Sequence, residues 1–316
     1  MNGAWRVFDV FVQQLTWESD DVLGVVLERV DGMPLPAWAP GAHIGIHLPV
    51  GVRHYSLCGD PADSRRYRVL ILREEDGRGG SSFVHGDLRP GHVLQITEPA
   101  NHFPLEPADG YRFVAGGIGI TPISAMMTAV RATGSSRASL LYVGRSRFTM
   151  AMLDEIADDA GVTVVPRDEL ARPDLAAYLA DPTRAERVYV CGPPAMVDAT
   201  RSAAIAAGWD ETAIHAERFV PVELDRDGEV PFGIELARTG ITASVARGRS
   251  VVEVLEDAGI ELDSACREGI CGTCRVPVLS GEIVHRDAIL SDAERACGDA
   301  MMACVSRGRG IVVLDL

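Results

Sequence analysis

The chain contains no lysine; all 30 of the basic residues among its 316 are arginine. Schiff-base chemistry, a Walker-type phosphate lysine and a lysine general base are therefore excluded. Excess positive charge is also missing. The formal net charge is −15, which makes nucleic-acid backbones and anionic membrane surfaces poor partners. No uninterrupted membrane-length run occurs, because the longest apolar stretch, Phe113 to Val130, is broken by Gly116, Gly117, Gly119 and Pro122. The N-terminus shows no basic segment followed by an apolar one, so no secretory signal is expected. Disulfide pairing is not indicated either. Seven cysteines, an odd number crowded toward the C-terminus, suit metal ligation in a reducing cytoplasm. What is present is 47% hydrophobic and 24% charged residues, the mix of a soluble protein of two domains or slightly more.

The pattern along the chain divides it. Residues 1–107 are β-rich: Val7–Val12, Val22–Val30, His43–Leu48, Tyr67–Leu72 and Val93–Ile96 are short, partly alternating runs between Gly/Pro turns such as Pro40-Gly41 and Pro90-Gly91. This predicts a small antiparallel β-barrel. Residues 108–220 alternate strand and helix, with strands at Tyr111–Ala115, Ser139–Val143, Val162–Val165 and Val188–Cys191. Helices are expected at Pro122–Ala132, Met152–Ala160 and Ala195–Ala207. Such alternation predicts an α/β domain with a parallel sheet. Residues 221–229 are polar and aperiodic, a linker that permits domain movement. Residues 230–316 begin with β-runs at Phe232–Leu236 and Ile241–Val245, continue with a helix at Val251–Ala258 and close with a strand at Ile311–Leu314.

The most specific signal is Cys266-Arg-Glu-Gly-Ile-Cys271-Gly-Thr-Cys274 with Cys304 further on, the C-x₄-C-x₂-C…C spacing of plant-type [2Fe–2S] proteins. Two sulfide-bridged irons need four thiolates, and one tight loop can supply three. Gly269 and Gly272 let the backbone wrap so that amides point at sulfur. A zinc module would usually pair two short C-x₂-C units, and only one is present. Cys297 competes with Cys304 for the fourth position. Its polar surroundings, Glu294 to Asp299, suit a loop and a free thiol.

Ala115-Gly116-Gly117-Ile118-Gly119-Ile120-Thr121-Pro122 follows an apolar strand and opens a helix, where glycines and helix N–H groups can receive a pyrophosphate. Pro122 fits the first helical turn. A Gly-rich turn can also serve packing alone, and the full G-x-G-x-x-G fingerprint is absent. The next strand ends in Gly144-Arg145-Ser146-Arg147, two arginines without a carboxylate, which leaves NADPH open beside NADH. Cys191-Gly192-Pro193 ends a later strand at the carboxyl edge where open α/β sheets bind ligands.

Arg53-His54-Tyr55-Ser56 and Gly77-Arg78-Gly79-Gly80-Ser81-Ser82 combine an arginine, hydroxyls and glycine amides suited to a phosphate with a tyrosine that can pack on a flavin. With these segments in place, the whole chain resembles the phthalate dioxygenase reductase family, whose order of FMN domain, NAD domain and ferredoxin vanillate demethylase reductases share. The resemblance runs through R-x-Y-S, G-R-G-G-S, G-G-I-G-I-T-P, C-G-P, the cluster loop and the terminal Val312-Val313-Leu314-Asp315-Leu316. It implies a multi-domain fold: a β-barrel flavin domain, a parallel-sheet nucleotide domain and an α+β, β-grasp-like plant-type ferredoxin domain. It further implies that Arg53, Tyr55 and Ser56 hold FMN, with Gly80, Ser81 and Ser82 closing on its phosphate. Gly117, Gly119, Ile120 and Thr121 would cradle the dinucleotide, with Arg145, Gly192 and Pro193 beside it. Cys191 would lie near the reactive nicotinamide carbon, and Phe219 of Glu217-Arg218-Phe219 would shield the flavin. Cys266, Cys271, Cys274 and Cys304 would ligate the cluster.

A nicotinamide releases two electrons at once and a [2Fe–2S] centre takes one, so a flavin must stand between them. The expected activity is an NADH-dependent flavoprotein oxidoreductase. It would be the reductase component of an oxygenase system and need no acid–base residue. The expected partner is a separate terminal oxygenase, a Rieske-type hydroxylase or demethylase, with a cytochrome P450 as the alternative. The protein is expected to be a cytoplasmic monomer that engages neither nucleic acid nor membrane.

Overall fold

A computed structural model describes residues 6–75, 77–134, 137–219, 228–264, 266–270, 272–290 and 292–316. The chain forms two compact units, Met1–Phe219 and Val220–Leu316. Among the described residues no helix is long and apolar enough to cross a membrane.

The first unit opens with β1 (Val7–Ser19), β2 (Val22–Arg29), β3 (Ala42–Leu48), β4 (Gly51–Ser56), β5 (Tyr67–Leu72), α1 (Gly80–Gly86), β6 (Val93–Thr97) and β7 (Ala100–Asn101). The strands form one antiparallel sheet in the order β4-β3-β6-β1-β2-β5, with β7 on β3. An isolated bridge, Leu57 to Val69, links the chain just after β4 to β5. Alternate residues such as Val10, Val12, Val25, Leu27, Ile44, Ile46 and Ile96 form its core. β1 runs seven residues beyond the alternating Val7–Val12 segment, because a bulge between Val12 and Gln14 interrupts the alternation without ending the pairing. The glycine-rich Gly80–Gly86 segment is helical, which its composition hides.

The unit continues with β8 (Gly110–Gly116), α2 (Ile120–Thr133), β9 (Arg137–Gly144), α3 (Leu153–Ile156), β10 (Val162–Pro166), α4 (Leu175–Tyr178), β11 (Glu186–Cys191), α5 (Pro194–Ala207) and β12 (Ile214–Glu217). Its five strands are all parallel, in the order β10-β9-β8-β11-β12. The direction of winding reverses between β8 and β11, so their carboxyl ends flank the crevice where such sheets bind ligands. The helix expected over Met152–Ala160 is only one turn, Leu153–Ile156. Met152 holds a left-handed φ of 61° before it, and Gly161 turns the chain after it.

The two sheets of this unit are fixed to each other. Arg68 on β5 donates to both carboxylate oxygens of Glu18 on β1 (2.9 and 3.0 Å) and to Glu155 on α3 (2.6 and 3.0 Å). Gly24 makes room for Glu18, since a Cβ there would stand 2.4 Å from its Oε1. The Asp20 amide donates to the Phe148 carbonyl (2.7 Å), and one apolar cluster joins Val22, Leu70 and Phe103 to Phe113, Ile120 and Cys191.

The second unit contains β13 (Phe232–Leu236), β14 (Thr242–Val245), α6 (Val251–Asp257), β15 (Arg275–Val284), α7 (Asp292–Cys297), β16 (Ala300–Met302) and β17 (Arg307–Leu314). The sheet order is β14-β13-β17-β15-β16, with β13 and β17 parallel and the other pairs antiparallel. Ser250 caps α6 with a reciprocal Ser250–Glu253 capping box. One expectation needs correction. Glu294–Asp299 is not a loop, because α7 ends at Cys297. Residues 221–227 of the expected linker lie outside the described residues. Its last residue, Glu229, is half-buried, its side chain anchored by an ion pair with Arg286 and by the Gly248 amide (2.8 Å).

Candidate functional site

The cysteine-rich segment follows α6. Gly269 and Gly272 adopt left-handed φ of 71° and 73°. At Gly269 a Cβ would meet Val305 Cγ2 at 2.6 Å, so the loop is held against the segment that carries Cys304. β15 starts one residue after Cys274, and its pairing with β16 brings Met302 opposite Arg275. The Ala303 amide then donates to the Cys274 carbonyl (3.1 Å). Cys266, Cys274 and Cys304 are all buried. Hydrogen bonding with Cys266 and Cys274, reinforced by burial, pushes the Cys304 thiol up, whereas hydrogen bonding to Cys304 pulls Cys274 down. Three buried sulfurs that hydrogen-bond among themselves need protons or cations between them, and thiolates of this kind suit iron. The Glu268 amide points at Cys266 Sγ at 3.3 Å, the kind of donor that stabilises an iron-bound thiolate. Cys271 lies outside the described residues. Cys297 is exposed at the end of α7, its thiol pushed up by a hydrogen bond with Asp299.

In the first unit the β8 and β11 loops touch. A Cβ on Gly119 would lie 2.3 Å from the Cys191 carbonyl oxygen, and one on Gly116 would meet Met196 Cε at 2.5 Å. Gly117 has a left-handed φ of 53° with open space around it. Ile120 is fully buried, and the Thr121 hydroxyl donates to the Ile118 carbonyl (3.0 Å), so neither side chain is free for a ligand. Cys191 has no exposed surface, and Phe219 packs on the apolar cluster that contains it. Arg145 stands exposed after β9.

Sequence patterns did not reveal the partner of Cys191. Parallel register places Glu217 of β12 beside it, with Sγ and Oε2 3.9 Å apart. Glu217 as a residue is half-buried, but its carboxyl end is enclosed, and burial pushes it up to about 8 against a donated thiol hydrogen bond that lowers it. The sign for stability follows. The folded chain keeps this proton from the ordinary value of 4.5 up to about 8, whereas the unfolded chain has released it. Folding stability therefore falls as pH rises across that window and levels off above it. Glu217→Gln should remove this slope, which denaturant unfolding of the variant and parent between pH 5 and 8 would reveal. An unchanged slope would mean that Glu217 ionises normally.

The third group lies on β4 and α1. The Arg53 guanidinium donates to the Arg78 carbonyl (2.9 Å) and the Val52 carbonyl (2.9 Å). Gly80 lies directly against its side chain, where a Cβ would approach Arg53 Cγ to 2.7 Å. Ser81 Oγ accepts the Glu74 amide (3.0 Å), which fixes the hydroxyl and leaves its proton to donate. Ser82 is exposed, Ser56 is buried, and Tyr55 is half-buried with its phenol pushed up to about 12 by burial. A guanidinium with remaining donors, a fixed hydroxyl and a half-buried ring suit a phosphate beside a planar ring system.

Residues 234–308 match the family model of the 2Fe-2S iron-sulfur cluster binding domain. Along the whole chain, identity to vanillate O-demethylase oxidoreductase of Pseudomonas putida is 38% over 321 residues, covering 98% of this chain and 100% of that one. The structure of phthalate dioxygenase reductase, described as modular for electron transfer from pyridine nucleotides to [2Fe-2S], aligns over 98% of each chain with 32% identity and a TM-score of 0.73. The chain belongs to the phthalate dioxygenase reductase family. This reductase also resembles part of an intact type IV self-sufficient cytochrome P450 monooxygenase, at 42% identity and a TM-score of 0.89. The match covers 98% of the reductase but 41% of that longer chain.

Proposed function

We propose that this chain is the reductase component of an oxygenase or demethylase system, taking electrons from NAD(P)H through FMN to a [2Fe–2S] cluster and on to a separate terminal protein. The observation that carries this reading is the pairing, on one chain, of a β8–β11 crevice closed by glycine with a second unit that gathers three buried thiols. In this reading residues 1–107 are a flavin barrel, which the Leu57–Val69 bridge supports. Residues 108–220 bind the dinucleotide, and 230–316 form a β-grasp-like ferredoxin domain. Bound flavin and cluster together supply the conversion of one hydride into single-electron transfers.

The side chains bind and orient. Arg53 and Ser81 hold the flavin phosphate, with Gly80 and Ser82 beside it. Ser56 and Tyr55 line the ring. The main chain of Gly117, Gly119, Ile120 and Thr121 would receive the pyrophosphate, with Gly192 and Pro193 as the facing wall. Cys191 and Phe219 would line the crevice floor, where Phe219 would shield the flavin. Glu217, neutral below about pH 8, keeps negative charge away from the Cys191 end. Cys266, Cys271, Cys274 and Cys304 ligate the cluster.

FMN rather than FAD is expected, because the Arg53–Ser81 group forms a phosphate pocket beside the ring site. Heat release and chromatography should recover FMN, and Arg53→Gln should weaken its retention about ten- to hundredfold through loss of a charged donor. Recovery of FAD from the parent protein would overturn this assignment. The acceptor class follows the family: a Rieske-type oxygenase or demethylase. One observation favours a cytochrome P450 as a second acceptor, namely the higher identity and TM-score with the self-sufficient P450 than with phthalate dioxygenase reductase. Comparing turnover with a purified enzyme of each class separates the two.

A further inference from the structure

We infer that Glu169 sets the choice of dinucleotide: by holding Arg147 it makes the chain select an adenosine ribose without a 2′-phosphate. The inference rests on the dinucleotide reading of the β8–β11 crevice and adds which dinucleotide that crevice takes.

β9 is the neighbour of β8, and β10 pairs with β9 in parallel, Pro166 opposite Gly144. The pairing continues beyond the strands, since the Arg167 amide donates to the Gly144 carbonyl (2.9 Å) and the Asp168 amide to the Arg145 carbonyl (3.0 Å). Residues 145–149 and 167–170 thus lie side by side at the carboxyl edge, one strand away from the glycine loop. In open α/β sheets this is where an adenosine ribose arrives, met by an acid for a 2′-hydroxyl or an arginine for a 2′-phosphate.

The charges at this edge do not form the cationic pair that Arg-Ser-Arg suggests. Arg147 Nε donates to both carboxylate oxygens of Glu169, at 3.2 and 3.1 Å. Arg167 Nη1 is turned to the Leu170 carbonyl (2.5 Å). Arg145 has no ion pair among the described residues, and Asp168 is exposed nearby in the chain. A 2′-phosphate that reached for Arg147 would have to displace Glu169 and, even when paired with Arg145, would sit near a carboxylate of like charge. A ribose 2′-hydroxyl meets neither obstacle and can donate to a carboxylate.

Two exposed apolar side chains flank the pair and support the placement of a ligand there. Phe148, 73% exposed, follows Arg147, and Leu170, 47% exposed, follows Glu169. The Phe148 carbonyl is pinned by the Asp20 amide (2.7 Å), so the loop has a fixed position. An exposed ring on a fixed loop offers adenine a stacking surface.

The ion pair is half exposed on both sides, so its removal should shift affinity without unfolding the chain. The test is calorimetric binding of 5′-AMP and adenosine 2′,5′-bisphosphate to the holoprotein, a readout independent of turnover. The parent protein should bind AMP at least as tightly as the bisphosphate. Glu169→Gln should strengthen bisphosphate binding about tenfold while AMP binding changes less than about twofold. Adding Arg147→Ala to that variant should abolish the gain. The ratio of kcat/KM for NADPH over NADH should move in parallel. Unchanged selectivity in Glu169→Gln, or a gain that survives Arg147→Ala, overturns the inference while leaving the dinucleotide reading intact. Failure of the parent protein to bind either adenosine ligand or oxidise either dinucleotide overturns that reading itself, and this inference with it.

Discussion

Cys304→Ser is expected to strip iron from the second unit while NADH oxidation by a two-electron dye continues. Cys304 is buried against Cys266 and Cys274, and the strand pairing of β15 with β16 fixes it there. A serine hydroxyl is a hard, weakly acidic replacement for a soft thiolate, so one iron loses its anchor. The loss in cluster binding should exceed the about 10–100-fold that removal of an outer-shell partner costs. The proposed flavin and dinucleotide residues all belong to the other compact unit, which does not contain this residue. Cytochrome c, a one-electron acceptor, should therefore lose its reduction, while the dye keeps its rate. Cys297→Ser is the matched control: that thiol is exposed on α7, and its iron content should equal the parent's. Iron lost from Cys297→Ser but kept by Cys304→Ser would reverse the ligand assignment.

Gly119→Ala should cripple dinucleotide use without emptying either cofactor site. The added Cβ would stand 2.3 Å from the Cys191 carbonyl oxygen and 2.5 Å from its carbon. Both are main-chain atoms on a strand of the sheet, so neither yields as a flexible side chain would. The β8 and β11 loops must separate, at a cost of about 1–3 kcal/mol for an overpacked site, and the pyrophosphate cradle widens. A displacement of this kind near the reacting groups costs about a hundredfold in kcat/KM for NADH. Gly117→Ala isolates the steric cause. Its neighbour space is open, so only the left-handed φ of 53° opposes it, at roughly 1–2 kcal/mol. Steady-state kinetics with flavin and iron content on both variants decide this. Equal losses in the two would show that close loop contact is not what shapes the site.

The legible parts of this chain are those whose physics is local. Tyr67–Leu72 and Phe232–Leu236 are strands with the expected bounds, because an apolar, β-branched run between turns needs no distant partner to be recognised. The cysteine spacing is equally local, since a short loop supplies most of a cluster's ligands. By contrast β15 contains Pro277 and Gly281 and shows no clean alternation; its ladder to β17 carries irregular register that only the partner strand defines. The Gly-rich α1 was hidden by composition and is recognisable only through its packing beneath Arg53. Within the site, the Cys191–Glu217 contact depends on β11–β12 register, and the Arg147–Glu169 pair joins residues from two loops. Neither follows from spacing along the chain. Arg68 likewise links two sheets only because β1, β5 and α3 converge on it, which no local pattern encodes.

Electrons enter this reductase as hydride in the first unit and leave singly from the second. Anaerobic titration of the holoprotein with NADH, followed by visible absorption and electron paramagnetic resonance, tests it most directly. The flavin absorbance should bleach and a rhombic signal of a reduced [2Fe–2S] centre should rise with it, reaching one spin per chain's cluster at full reduction. Flavin bleaching with an iron-loaded but permanently silent cluster would contradict it.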